Sequence, residues 1–327
     1  MTDSRRRFLQ LVAGAAALPA AVRTARADTY PSRPVHLVVG FSPGSASDIN
    51  ARLVGQWLAE RLGQNFVIDN RAGAGGNIAT EFVVRAKPDG YTLLYASTAI
   101  AINPTLYEGK LTFDALHDLA PVASVVRTPF VMEVGLDVPV KTVPEFIAYA
   151  KANPGKINMA TVGAGSAQHL YGEYFKMMTG IDMVPVHYRG AAPAITDMIA
   201  GRVQVMFDAV VSSLAYIKSG QLRALAVTTA SPQEDLLPGV PTIAQVVPGY
   251  DAAGWQGVCA PRETPSAIVE LLNREINALL GDAKVKARLA ELGGLTSAGP
   301  PAAFGDFIAA ETDKWGKVVR QAGIKAD

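Results

Sequence analysis

The chain has 327 residues, 49% hydrophobic and 18% charged, with no long polar or repetitive run. This excludes a disordered chain and supports a buried core, in about two domains. The first 27 residues hold five arginines and one aspartate; without them, 25 basic and 28 acidic side chains give a net charge of −3, which excludes the basic surface that nucleic acid or an anionic membrane requires.

Those first 27 residues read as an export signal. Ser4-Arg5-Arg6-Arg7-Phe8-Leu9-Gln10 has the twin-arginine pattern, and an apolar stretch follows over residues 11–18. Ala25-Arg26-Ala27 forms a small-x-small site whose cleavage leaves Asp28 as the mature N-terminus in the periplasm. The apolar stretch is too short to span a bilayer, and no later run approaches that length. An amphipathic first helix of a cytosolic protein is the alternative, but paired arginines, apolar run and cleavage site stand in the order an export signal has.

From residue 35 onward, short β-branched runs alternate with helix-period segments. The pattern predicts a strand over 35–39, a helix over 48–62, a strand over 66–69, a helix over 77–86 and a strand over 91–96, the mark of parallel βαβ units. After the apolar run 122–126 the pattern restarts: a strand over 130–134, a helix over 144–152 opened by Thr142, a strand over 157–161 and a helix over 166–178. Strands over 183–188, 203–207 and 222–229 follow, with helices over 193–200 and 212–218 between them. Beyond the Pro- and Gly-rich stretch 237–250 come one strand, 255–259, and then only helices, 265–280, 283–292 and 302–322. A late strand with no sheet of its own is best placed by returning it to the first unit. The expected organisation is lobe 1 over 28–127 plus 254–327 and lobe 2 over 128–253. Two crossings, near residues 127 and 253, make a hinge with a ligand cleft between two α/β lobes.

In a parallel sheet the loops after strand C-termini open into helix N-termini, whose unpaired N–H groups attract anions. Two such loops are small and polar: Phe41-Ser42-Pro43-Gly44-Ser45-Ala46-Ser47-Asp48 and Gly163-Ala164-Gly165-Ser166-Ala167-Gln168-His169. Neither contains Lys or Arg, so a carboxylate held there relies on N–H groups, hydroxyls and water. The plainer reading is that Ser47 or Asp48 caps one helix and Ser166 the other. Thr98 follows the strand ending at Ala96 and adds a hydroxyl. Asp208, at the end of the strand over 203–207, either accepts from a ligand or caps the next helix.

Other constellations carry less. Arg71-Ala72-Gly73-Ala74-Gly75-Gly76-Asn77 lacks the Walker Lys-Ser/Thr and the Rossmann glycine spacing, and reads as a tight turn into a helix at Asn77. Ser166, His169 and Asp208 are the residue types of a hydrolase triad, but no Gly-x-Ser-x-Gly elbow surrounds Ser166. His36, His117 and His187 are scattered without ligand spacing, so no metal and no cofactor is expected. Cys259, the single cysteine, reads as a small core hydrophobe and Trp255 as a packing residue.

Taken together the motifs resemble the Bug family, extracytoplasmic receptors related to the tripartite tricarboxylate transporters. They run in one order over the mature chain: Tyr30-Pro31-Ser32-Arg33-Pro34, the 41–48 loop, Asn70 to Asn77, Lys87-Pro88-Asp89-Gly90-Tyr91-Thr92-Leu93, Tyr188-Arg189-Gly190-Ala191-Ala192-Pro193, residues 200–208, Leu237-Pro238-Gly239-Val240-Pro241-Thr242 and residues 255–261. The resemblance implies the type II periplasmic-binding-protein fold and a non-enzymatic receptor, a monomer, that delivers a small carboxylated solute to membrane permease subunits. It also implies a ligand carboxylate gripped between the two loops with ordered waters. Carried over by position, the grip involves Phe41, Ser42, Gly44, Ser45, Ala46, Asp48, Thr98, Gly165, Ser166, Gln168 and His169, with Asp208 recognising the rest of the ligand. The chain departs from the family pattern at Ser45, where a second glycine is usual, at Ser166, commonly Thr, and at His187, usually Pro. A Cβ at Ser45 is expected to narrow the site or shift the backbone. A sensor for signalling, in place of a permease, and a periplasmic serine hydrolase are the competing functions.

Overall fold

The structure, a computed structural model, describes residues 30–326; residues 1–27, read from the sequence as an export signal, lie outside the described residues. Strand β1 (Val35–Val39) buries every residue except His36, as a strand covered on both faces must. Helix α1 (Ala46–Leu62) starts at the Ser45 cap and stops at left-handed Gly63. Strand β2 (Phe66–Asn70), helix α2 (Asn77–Val84) and strand β3 (Thr92–Ser97) complete the first βαβ units, with β1 parallel to both neighbours.

Two short helices that the sequence pattern leaves unread follow: α3 (Ala99–Leu106) and α4 (Ala115–Asp118). Helix α3 spans eight residues and contains Pro104, so its 3.6-residue period has little length in which to show.

The expectation that differs most is at the crossing. The runs 122–126 and 130–134 are parts of one 17-residue strand, β4 (Leu119–Gly135). Its residues up to Pro129 pair with β9 (Ala253–Pro261), and those from Phe130 onward with β7 (Val205–Ala209) and β8 (Leu222–Val227). Pro129 has no amide to give to a ladder, and it stands opposite Ala253, where one set of pairings ends and the other begins.

The rest of the second half is α5 (Val143–Ala152), capped by Thr142 as predicted, β5 (Asn158–Thr161), α6 (Ala167–Thr179), β6 (Val184–His187), α7 (Ala191–Ile199) and α8 (Val210–Lys218). After β9 come α9 (Ser266–Gly281), α10 (Ala283–Glu291), the two-residue β10 (Leu295–Thr296) and α11 (Pro301–Ala322). The strand order is β2-β1-β3-β9-β4-β7-β5-β6, with β8 and β10 also on β4. Pairings at β9 and β4 are antiparallel, whereas β5 is parallel to β6 and β7. The sheet is therefore mixed, not parallel throughout, because β9 runs antiparallel to β3 and β4, and β4 antiparallel to β7 and β8.

Helix α11 ties the halves together. Trp315 stacks on Tyr171 of α6 at 5.1 Å, and its Nε1 donates to Glu311 Oε2 at 2.8 Å. Trp255 of β9 donates to the same oxygen at 3.2 Å. Both indoles are buried, and truncating either to alanine would cost about 3–5 kcal/mol. Cys259 is buried as expected, and burial pushes its thiol up to about 12.

Candidate functional site

The two polar loops fold into the same cassette. In the first, the Ser45 amide donates to Ser42 O (3.2 Å), the Gly44 amide to Asp48 Oδ2 (2.9 Å), the Asp48 amide to Ser45 Oγ (3.3 Å) and the Ile49 amide to Ser45 O (2.9 Å). In the second, the Ser166 amide donates to Gly163 O (3.2 Å), the Gly165 amide to His169 Nδ1 (3.1 Å), the His169 amide to Ser166 Oγ (3.3 Å) and the Leu170 amide to Ser166 O (2.9 Å). Gly44 and Gly165 supply the left-handed turn at φ 81° and 72°. Each cassette is a capping box in which the side chain three residues after the serine reaches back to the glycine before it.

The serine caps are Ser45 and Ser166, so the cap expected at Ser47 or Asp48 falls at Ser45. Ser45 sits at φ −68° and ψ 159°, an ordinary extended conformation that a residue with a Cβ adopts without strain. What the cassettes leave over is the important part. Among the described residues the amides of Ala46 and Ser47, and those of Ala167 and Gln168, donate to no protein acceptor, and these are the N–H groups an anion takes at a helix N-terminus.

The side chains behind the amides differ. Asp48 is buried and accepts from Arg52 Nη2 (2.8 Å) and Asn70 Nδ2 (3.0 Å) at one oxygen, and from Arg52 Nε (3.0 Å) and the Gly44 amide at the other. These donors, Arg52 first, hold its carboxyl down at about 2. His169 is buried too, its ring 5.1 Å from that of His187. Burial foremost, with His187 and Lys176 adding to it, lowers His169 to about 4, leaving a neutral imidazole whose Nδ1 lone pair holds the Gly165 amide. One turn on, where Arg52 follows Asp48, Glu173 follows His169 at 3.8 Å and is itself paired with Lys176 at 2.9 Å.

A cleft of about 470 Å³ opens beside both loops. The structure brings Phe41, Thr98, Gly165 and Ser166 into its wall, together with Ala164 and Ala167. Ser42, Gly44, Ser45, Ala46 and Asp48 continue the chain from Phe41 but are not in the wall, nor are Gln168 and His169. The Thr98 hydroxyl is engaged by the protein, accepting from the Trp255 amide at 3.0 Å and so fixing β9 to the end of β3. The sequence reading missed the apolar wall, Ile102 and Leu106 of α3 with Phe130 of β4, and also Gly75, Asn103, Tyr107 and Gln256. A usable signal was present: Gly-Ser-Ala recurs at 44–46 and 165–167, each followed by a polar acceptor three residues after the serine. No Lys, Arg, Asp or Glu lines the cleft among the described residues.

Asp208 lies inside β7 and is fully buried. It does not cap α8, whose N-cap is Ala209. Its Oδ1 accepts from Gln168 Nε2 (3.0 Å) and its Oδ2 from Ser213 Oγ (3.3 Å), while Ser213 Oγ also lies 2.7 Å from Glu133 Oε1. Burial raises both carboxyls, Glu133 to about 8. A hydrolase triad is not assembled: Ser166 Oγ meets the His169 amide and not its ring, and Asp208 bonds Gln168. Among the described residues no group of His, Cys, Asp and Glu could hold a metal.

A two-lobed α/β fold with a cleft beside helix N-termini is the architecture of a solute-binding receptor. Comparison with known proteins gives the family. The model of the tripartite tricarboxylate transporter family receptor matches residues 50–324, and the chain belongs to that family of receptors, which are not enzymes. It is 38% identical to Protein BugT of Bordetella pertussis over 304 residues, 91% of this chain and 92% of that protein. Among solved structures it is similar to R. palustris Rpa4515 with adipate, with TM-score 0.74, 38% identity and coverage of 90% of this chain and 99% of that one. MatC from Rhodopseudomonas palustris with bound malate is similar at TM-score 0.70 and 30% identity, covering 89% of this chain and 100% of that one.

Proposed function

We propose that this chain is a periplasmic receptor that captures a small carboxylate and presents it to a tripartite tricarboxylate-type permease. The observation that supports the reading is the pair of equivalent helix N-termini, each with two uncommitted amides, of which that of α6 lines a cleft without charged side chains while the first loop reaches the same cleft through Phe41. A carboxylate there exchanges water for fixed N–H dipoles and meets no competing ion pair. The solved relatives with adipate and malate support a carboxylate ligand. Thr98, Asp48, His169, Gln168 and Asp208 act in this reading by holding the walls and loops, with Phe41, Gly165 and Ser166 nearest the ligand. Lobe 1 comprises residues 28–127 plus 254–327 and lobe 2 residues 128–253. The ligand stabilises closure of one on the other by its differential affinity for the closed form. Export by the twin-arginine signal, cleaved after Ala27, supplies the compartment, and no described helix is long and apolar enough to cross a membrane.

The test removes the amides and leaves the helices. Ala46 and Ala167 occupy the first helical position, where proline is tolerated, and Ser45 and Ser166, at ψ 159° and 161°, already have the conformation that precedes proline. Ala46→Pro and Ala167→Pro should each weaken carboxylate binding roughly tenfold or more in calorimetry while the melting temperature holds. Unchanged affinity in both variants would refute the carboxylate grip.

A further inference from the structure

The polar side chains on the cleft wall divide into those the protein uses and those it does not. Gln256 is used at both ends, its Oε1 accepting from Asn50 Nδ2 (2.8 Å) and Tyr95 Oη (3.2 Å) and its Nε2 donating to Ser47 Oγ (3.3 Å). Thr98 is held by Trp255, Ser166 by the His169 amide, and Ser97 Oγ accepts from the Ala99 amide at 3.4 Å. The amino group of Asn103 donates to Gly75 O (3.0 Å) and to Asn77 Oδ1 (2.8 Å). Against these, the hydroxyls of Tyr107 and Thr128 have no protein partner among the described residues.

The two free hydroxyls are not equivalent. Thr128 lies on β4 opposite Gly254, between Arg127 and Pro129 at the crossing. Tyr107, which ends α3, carries its oxygen to the glycine turn 73–76. A Cβ built on Gly75 would stand 3.3 Å from Tyr107 Oη and 3.6 Å from Asn103 Oδ1, and Gly75 is left-handed at φ 63°. Asn103 Oδ1 accepts from no protein group among the described residues, and Asn77 Nδ2, next to it, is buried without an acceptor. Polar atoms without partners therefore collect around one bare turn, on the half of the site that β2 and α2 build. Residue 106, one step back, is what the other half touches: a Cβ on Gly165 would meet Leu106 Cδ2 at 3.0 Å. Apolar Ile102, Leu106 and Phe130 make up the wall of the same cleft.

This inference rests on the carboxylate reading and deepens it. We propose that Tyr107 is a specificity-determining residue of the cleft: its hydroxyl donates to an acceptor oxygen on the ligand's second polar group. The receptor thereby selects a bifunctional acid, polar at both ends and apolar between, over a monocarboxylate of the same chain length. A site built to hydrogen-bond a substrate group discriminates against the analogue lacking it, because the site's polar atoms then lose water without gaining a partner.

Tyr107→Phe keeps the ring and removes one oxygen that no protein group uses. Calorimetry on the purified mature chain would compare adipate with hexanoate and malate with butyrate, for the native protein and the variant. The expected result is that the native protein prefers the bifunctional member of at least one pair by roughly tenfold. The variant loses that preference by weakening the bifunctional acid alone, with an unchanged melting temperature. Equal weakening of both members, or a preference that survives in the variant, would overturn the role of Tyr107 and leave the carboxylate grip intact. Failure of the native protein to bind any of the four would instead overturn the carboxylate reading, and this inference with it.

Discussion

The loops 41–48 and 163–169 share a backbone and differ in the acceptor behind it. Both present two free amides past a serine cap, and both tie the preceding glycine amide to the side chain three residues after the serine. In the first loop that acceptor is a carboxylate neutralised by Arg52; in the second it is a neutral imidazole, with the acid moved one turn along and neutralised by Lys176. What the turn requires is a fixed lone pair, and what an incoming anion requires is that no net negative charge stand behind the amides. An aspartate with its own arginine and a histidine held neutral both meet the two conditions.

The difference can be broken open by mutation. Asp48→Ala should have the largest effect, about 2–3 kcal/mol in urea unfolding, because it strips the acceptor from Asn70, from Gly44 and from both Arg52 contacts. His169→Ala removes one neutral acceptor and part of a buried ring and should cost about 1–2 kcal/mol. Equal losses in the two loops would show that the charge on Asp48 contributes nothing beyond an acceptor.

Acid separates the loops next. His169 has its folded value lowered from 6.5 to about 4, so between those limits the unfolded chain binds a proton that the folded chain does not. Its contribution is complete above about pH 6.5 and is lost as pH falls toward 4. Asp48, lowered from 3.8 to about 2, gives a contribution complete above pH 3.8 and lost only toward 2. Unfolding of the native protein and of His169→Asn, compared from pH 7 to 4, should therefore show a shallower decline in the variant. Parallel declines would mean that the imidazole takes up its proton in the fold as it does in the unfolded chain.

The smallest effect should be the most symmetrical. Ser45→Ala and Ser166→Ala each remove one cap and should each cost about 1 kcal/mol. A markedly larger loss at one of them would show that the cassettes are not equivalent after all.

Local rules were enough for much of the fold. The caps at Thr142 and Ser166, the helix starts at Asn77 and Ala283 and the buried run 35–39 were all legible, because each depends on hydrogen bonds or periodicity within a few residues. The turn at 73–76 was recognised as a turn for the same reason, but its place beside Tyr107 was not. The duplicated Gly-Ser-Ala was in plain view and lacked only a reason to compare positions 121 residues apart.

By itself, then, the sequence determined the α/β class, the order of most elements, the two polar turns and the family resemblance, since those are written in neighbouring residues. Tertiary structure decided that β4 runs unbroken through both sets of pairings, that β9 makes the sheet mixed, that Asp208 faces the interior, and that α3 supplies the cleft wall. Each of these depends on partners brought together from far along the chain, as the Thr98 hydroxyl and the Trp255 amide are from 157 positions apart. Nothing in the composition around either residue specifies that meeting; it follows only when the whole core closes and every buried polar group must find a partner.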